Sequence, residues 1–322
     1  MIEQPRSIAP SSLLLPSLKV SLKMKHLLSI EQLSAAEIEN LLAQAAWLKK
    51  NRKTSPQVLA GQNWALIFSK SSTRTRVSFE VGVRELGGQV MFLSSADIQL
   101  GRGEPIKDTA RVMGRMIDGA IIRTFAQQDV VDFAEYSGIP TINALTDDEH
   151  PCQILADLQT INERFGSWKG KRVAFLGDGD CNVARSWIWA SARLGFELVI
   201  GAPTEFQPAA DFMAKIPGGT VTVTDDPKAA VEGIDAIYTD VWVSMGKEDE
   251  AAGRIETLRP WQINAALMQH AKSDAIVMHC LPAYRGKEIT EEVLEAQAAV
   301  IFDQAENRLH AQKAVMVELA KA

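Results

Sequence analysis

Residues 64–76 read Trp64-Ala65-Leu66-Ile67-Phe68-Ser69-Lys70-Ser71-Ser72-Thr73-Arg74-Thr75-Arg76. The stretch opens as an apolar run short enough for a fully buried strand, then turns without a break into hydroxyl and basic residues. From 74 to 86 amphipathic spacing follows, so the segment reads as strand, tight polar loop and helix. Free N–H groups at the helix start, the Ser and Thr hydroxyls, and the guanidinium groups of Arg74 and Arg76 together make an anion site. A capped helix with a solvated basic first turn is the alternative, but basic residues disfavour a helix N-terminus unless an anion neutralises them. The Gly-Lys-Ser/Thr ending of a nucleoside triphosphate loop is missing.

Outward from this unit, apolar runs bounded by turn residues recur at 90–93, 119–123, 172–176, 198–201, 236–238 and 275–278. Amphipathic stretches separate them at 106–116, 153–165 and 183–194, and Ser34-Ala35-Ala36-Glu37 forms a capping box ahead of an earlier helix. Short buried strands alternating with helices predict an α/β fold with parallel sheets covered on both faces. Pro151 opens a helix able to cross between two halves, and 166–170 starts a second α/β unit. The chain's 322 residues suit about two domains. Residues 1–23, broken by Pro5, Pro10 and Pro16, read as a disordered leader or a start assigned too early, ahead of Met24.

The composition is that of an ordinary globular protein, 46% hydrophobic and 23% charged, with a net charge of −6. That balance argues against nucleic acid and anionic membranes as partners. Cys152, Cys181 and Cys280 are odd in number and widely spaced, which points to free thiols in a reducing, cytoplasmic setting.

In such folds ligands bind at the carboxyl ends of strands, and four further segments stand there. Leu176-Gly177-Asp178-Gly179-Asp180-Cys181-Asn182 is half a dinucleotide fingerprint, but its third glycine position is Asn182 and the next strand lacks the ribose-binding acid, which counts against NAD. A ligand-free glycine turn competes there, although Asn182 offers a donor and an acceptor to an amino-acid headgroup. In His150-Pro151-Cys152-Gln153, His150 suits donation to a carbonyl oxygen and Gln153 suits an amide, against the reading of a structural His. His279-Cys280-Leu281-Pro282-Ala283 ends a strand, where a buried thiol is the ordinary alternative. Asp240, in Asp240-Val241-Trp242-Val243-Ser244-Met245-Gly246, suits a cationic amine, against a plain Asx turn.

From Met24 onward the chain resembles the ornithine carbamoyltransferases, within the aspartate/ornithine carbamoyltransferase group, on four motifs in order: 72–76, 150–153, 240–246 and 279–283. The resemblance implies two doubly wound domains, one for carbamoyl phosphate (24–152, joined by a C-terminal helix at 304–322) and one for ornithine (153–303). It implies transfer of a carbamoyl group from carbamoyl phosphate to the δ-amine of L-ornithine, giving L-citrulline and phosphate in arginine metabolism, without metal or organic cofactor. Matched by motif, Ser72, Thr73, Arg74, Thr75 and Arg308 would hold the phosphate end. Arg123 and His150, with Thr75, would surround the carbamoyl oxygen, and Gln153 with the backbone at Cys280 and Leu281 would take the amide. Asn182, Asp240, Ser244 and Met245 would hold ornithine, with Arg123, His150, Asp240 and Cys280 as the catalytic group. Gln99 would reach a neighbouring subunit's site in a trimer or multiple of trimers. Asp180-Cys181 departs from the usual Asn ahead of the final Asn182. The rivals are a carbamoyltransferase for putrescine or N-acetylornithine, against which the Ser-Met-Gly loop speaks, and a non-catalytic α/β binding protein.

Overall fold

The computed structural model describes residues 24–95, 103–243, 249 and 251–321. The first half alternates α1 (Ala35–Lys50), β1 (Asn63–Phe68), α2 (Thr73–Glu85), β2 (Gln89–Ser94), α3 (Ile106–Met113), β3 (Gly119–Arg123), α4 (Gln127–Ser137) and β4 (Thr141–Leu145). Helix α5 (Pro151–Phe165) leads into β5 (Arg172–Leu176), α6 (Asn182–Leu194), β6 (Glu197–Gly201), α7 (Ala210–Met213), β7 (Val221–Thr224), α8 (Pro227–Val231) and β8 (Ala236–Thr239). The chain closes with α9 (Ala251–Leu258), α10 (Ala265–Met268), β9 (Ile276–His279), α11 (Glu291–Ala296) and α12 (Ala298–Leu319).

Two all-parallel sheets result, in the order β2-β1-β3-β4 and β7-β6-β5-β8-β9. This is the doubly wound α/β architecture expected. In each sheet the strand order reverses at one point, between β1 and β3 in the first and between β5 and β8 in the second. Crevices open at such points because the flanking connections leave to opposite faces. The strands are buried throughout at β3, β8 and β9, as their unbroken apolar runs require.

Local signals explain the element starts. Ser34 caps α1 by accepting from Glu37 N–H at 3.3 Å, while the Glu37 carboxylate accepts from Ser34 N–H at 2.8 Å. Ser72 caps α2, and Pro151 stands in the first turn of α5, where its missing N–H costs nothing. Two strands escaped the sequence reading. Thr141 and Asn143 interrupt the apolar run of β4, and β7 alternates Val221-Thr222-Val223-Thr224 at a sheet edge. The last helix begins at Ala298, six residues before the expected 304. It packs against α1 and α2 of the first half, against the crossing helix α5 and against β9 of the second half, so it returns to the first domain as expected. No helix among the described residues is long and apolar enough to cross a membrane.

Candidate active site

Between the two strand-order reversals lies a cavity of about 670 Å³. One wall is the β1–α2 loop with Ser72, Thr73 and Arg74, joined by Arg123 from the end of β3, His150 ahead of α5, and Arg308 from α12. The facing wall holds Asp178, Asp180 and Asn182 after β5, Asp240 after β8, and Cys280 and Leu281 after β9. Ten of the residues singled out from the sequence therefore share one cavity: Ser72, Thr73, Arg74, Arg123, His150, Asn182, Asp240, Cys280, Leu281 and Arg308.

Two of the remaining residues do not line it. Thr75 is fully buried, with its hydroxyl oxygen accepting from Arg308 Nη2 at 2.8 Å and from the Ser72 hydroxyl at 2.9 Å. Thr75 thus ties the phosphate-side loop to α12. Gln153 is also buried, its amide NH₂ donating to Asp157 Oδ1 at 2.8 Å. Gln99, Ser244 and Met245 lie outside the described residues. Arg76, counted with Arg74 as part of the anion site, turns away. Its guanidinium donates to Glu80 at 2.7 Å and lies 3.8 Å from the centre of the Phe92 ring. At i and i+4 on one helix face, the Glu80 carboxylate competes successfully for it.

The cavity is divided by charge. Arg123, Arg308 and Arg74 gather at the first wall, and neither Arg123 Nε nor Arg308 Nε has a hydrogen-bond partner within the protein. Burial, with Arg308 and Arg74 nearby, lowers Arg123 to about 10, so it remains a cation at neutral pH. Burial and the same cations (Arg308, then Arg123) hold His150 well below the ordinary imidazole range, leaving a neutral ring. Its Nδ1 has no partner, while its backbone N–H donates to Ser186 Oγ at 2.8 Å. Buried donors left unpaired are costly, and grouping them makes the wall a receptor for oxygen atoms bearing negative charge.

At the other wall, Asp240 accepts from Val241 N–H at 2.7 Å and from the Cys280 thiol at 2.8 Å. Burial pushes Cys280 well up, and Asp240 beside it pushes the same way, so Cys280 acts as a neutral donor and not as a thiolate. Burial also raises Asp240. Asn182 spends its amide NH₂ on the Thr146 carbonyl at 2.6 Å, across to the first half, which leaves its oxygen for a ligand's donor. Leu281 has φ 59°. That left-handed conformation costs a side-chain-bearing residue of order 1–3 kcal/mol, and it is held by Leu281 N–H donating to His279 Nδ1 at 2.8 Å. His279 Nε2 faces Glu288 Oε1 at 3.2 Å, which fixes the tautomer.

Asp240, His279 and Cys280 place one potential ligand atom each within 4.8 Å of one another, the one such group of three or more among the described residues. All three groups are engaged: the Cys280 thiol on Asp240, the Asp240 carboxylate on that thiol and Val241 N–H, and the His279 imidazole on Leu281 N–H and Glu288. A metal would have to displace those bonds.

Several lining residues went unselected in the sequence. Lys70 is buried, paired with Asp147 and set 4.3 Å from the Phe125 ring centre. Its place inside the polar loop after β1 was the available signal. Asp178 pairs with the buried Arg254, whose Nε also donates to the Trp242 carbonyl at 2.8 Å. No local pattern marks that partnership, since 76 residues separate the two.

Parallel sheets facing each other at their reversal points, with an anion-receiving wall opposite a carboxylate and an amide, define an α/β protein with a site for small charged ligands. Comparison with known proteins agrees. The carbamoyl-P binding domain of the aspartate/ornithine carbamoyltransferases matches residues 25–163, and the Asp/Orn binding domain matches 169–319. The ornithine carbamoyltransferase of Akkermansia muciniphila is 62% identical over 93% of this chain and 99% of its own. The anabolic ornithine carbamoyltransferase of Pseudomonas aeruginosa is 50% identical over 92% and 97%. The structure of the ornithine carbamoyltransferase from Pyrococcus furiosus superimposes with a TM-score of 0.89 at 44% identity, covering 94% of this chain and 99% of that one. The chain belongs to the aspartate/ornithine carbamoyltransferase family.

Proposed function

We propose that this enzyme transfers the carbamoyl group of carbamoyl phosphate to the δ-amine of L-ornithine, giving L-citrulline and phosphate in arginine metabolism. The observation that carries the reading is the convergence of Arg74, Arg123, Arg308 and the neutral His150 on one wall of the cavity, opposite Asp240 and Asn182. Arg74 and Arg308, with the hydroxyls of Ser72 and Thr73, take the phosphate. Arg123 and His150 donate to the carbamoyl oxygen. When the amine attacks the carbamoyl carbon, charge builds on that oxygen, so fixed donors stabilise the transition state more than the bound substrate. As the carbon–oxygen bond to phosphate breaks, the departing charge falls to Arg74 and Arg308. Asp240 pairs with the α-ammonium of ornithine, Asn182 presents its carboxamide oxygen, and Ser244 and Met245 complete the contact. The δ-amine must shed a proton before attack, so turnover rises toward alkaline pH.

The same reading gives a homotrimer, or a multiple of trimers, in which Gln99 enters a neighbour's site. It also places the enzyme in the cytoplasm, which its three free cysteines support.

Acceptor choice tests the assignment. With carbamoyl phosphate fixed, L-ornithine should exceed L-lysine, putrescine, N-acetylornithine and L-aspartate in kcat/KM. Lysine should come nearest, because one methylene is worth only about 1–3 kcal/mol. A higher kcat/KM for putrescine or N-acetylornithine would remove the ornithine half of the assignment and leave the carbamoyl phosphate half standing.

A further inference from the structure

Gln153 and Asp157 stand at i and i+4 on α5 and share a helix face. The Gln153 NH₂ donates to Asp157 Oδ1 at 2.8 Å, and the NH₂ of Gln304, from α12, donates to the same oxygen at 2.7 Å. Gln304 in turn accepts the backbone N–H of His279 at 2.9 Å, so the network reaches the strand that carries Cys280 and Leu281. Gln153, Asp157 and Gln304 are all buried, and Gln153 Oε1 has no hydrogen-bond partner within the protein.

A carboxamide has two unlike ends, and an ionised carboxylate can only accept. With its NH₂ committed to Asp157, Gln153 must offer its oxygen in the other direction. The carbamoyl amide is an NH₂ group and offers donors only, so it demands that oxygen.

We propose that Asp157 is a positioning residue: as a buried acceptor shared by Gln153 and Gln304, it sets which end of the Gln153 amide meets the carbamoyl NH₂ group. The inference rests on the reading that Gln153 contacts carbamoyl phosphate. Without an acceptor at 157 the amide is free to turn round and present donors to donors.

The groups facing Asp157 are Tyr238 from β8, Cys280 after β9 and Arg308 from α12. Burial pushes Tyr238 and Cys280 well up, so neither changes charge near neutrality. Burial also lifts Asp157 to about 7, against the hydrogen bonds from Gln153, Gln304 and Tyr238.

Three variants and one pH series test this. Asp157→Leu removes the acceptor that both amides share and frees the Gln153 amide to turn; the KM for carbamoyl phosphate should rise about tenfold or more while that for ornithine stays within about threefold. The charge-conserving double substitution Gln153→Glu with Asp157→Leu presents an oxygen whichever way the side chain turns, and should bring the carbamoyl phosphate KM back toward the parent's by about threefold or more relative to the single variant. A merely structural role for Asp157 would not be rescued at position 153. An unchanged KM in Asp157→Leu, or a folded double variant no better than the single one, overturns the proposal. Should Asp157→Leu fail to fold, the unsubstituted enzyme still decides. Its carbamoyl phosphate KM should climb as pH falls below about 7, and Gln153→Ala should abolish that limb; a limb that persists in Gln153→Ala overturns the proposal. If Gln153→Ala leaves the KM itself unchanged at every pH, the contact between Gln153 and carbamoyl phosphate falls, and this inference falls with it.

Discussion

Arg74, Arg123 and Arg308 illustrate how single side chains gain their chemistry from surroundings. Arg76 is two positions from Arg74 and chemically identical, yet it is held on Glu80 and contributes nothing to the cavity. Arg74→Ala should therefore leave the thermal melt near the parent's while removing a charge-assisted phosphate contact, costing about 2–4 kcal/mol or roughly one and a half to three powers of ten in turnover. Steady-state kinetics beside a melt check this, and Arg76→Ala is the matched control with near-normal turnover. Glu149 makes a different residue-scale case. Burial lifts its carboxyl to about 7, although Ile30 N–H donates to it at 2.8 Å and Ser186 hydroxyl at 3.2 Å. A carboxyl with a raised folded pKa holds its proton more tightly when folded, so its contribution to stability is fully present below the ordinary carboxylate range and is lost as pH rises through about 7. Glu149→Gln removes that dependence. Between pH 8 and pH 5 the parent should gain about 2–3 kcal/mol relative to the variant, read from denaturant melts at each pH.

The elements work mainly as holders of loop ends. β1, β3, β5, β8 and β9 each deliver a polar loop or side chain to the same cavity because parallel strands all end on one edge. Their starts and stops were legible where the signal was chemical: the Ser34 capping box, the Ser72 cap and Pro151. β4 and β7 were not, because polar residues at buried or edge positions erase the apolar run on which the reading depends. Helix α1 packs against α12 and α5 and contributes no residue to the cavity. Ser34→Ala should accordingly lower stability by about 1 kcal/mol, measured by chemical denaturation, with kcat and KM unchanged.

For the whole molecule, the decisive arrangement is the return of α12 across both halves. It carries Arg308 onto Thr75, 233 positions away in the chain, and Gln304 onto Asp157, 147 away. On the proposed trimer, sites are completed by a neighbour's Gln99. Mixing an Arg74→Ala protein with a Gln99→Ala protein should then restore partial activity after subunit exchange, since hybrid trimers contain some sites with neither lesion. No recovery from two trimeric, inactive parents would mean self-contained sites.

Neighbouring residues alone carry the α/β class, the loops at strand ends and ten of the residues that line the cavity, because buried parallel strands, caps and polar loops are local patterns. Its motifs also carried the family, which the comparisons bear out. Tertiary structure alone decided that Thr75 serves Arg308, that Asn182 spends its donor on Thr146, and that Gln304 reaches Asp157. Which partner a polar side chain takes is a contest among all acceptors within about 3 Å. Except along a single helix face, those competitors are brought together only by the folding of distant segments.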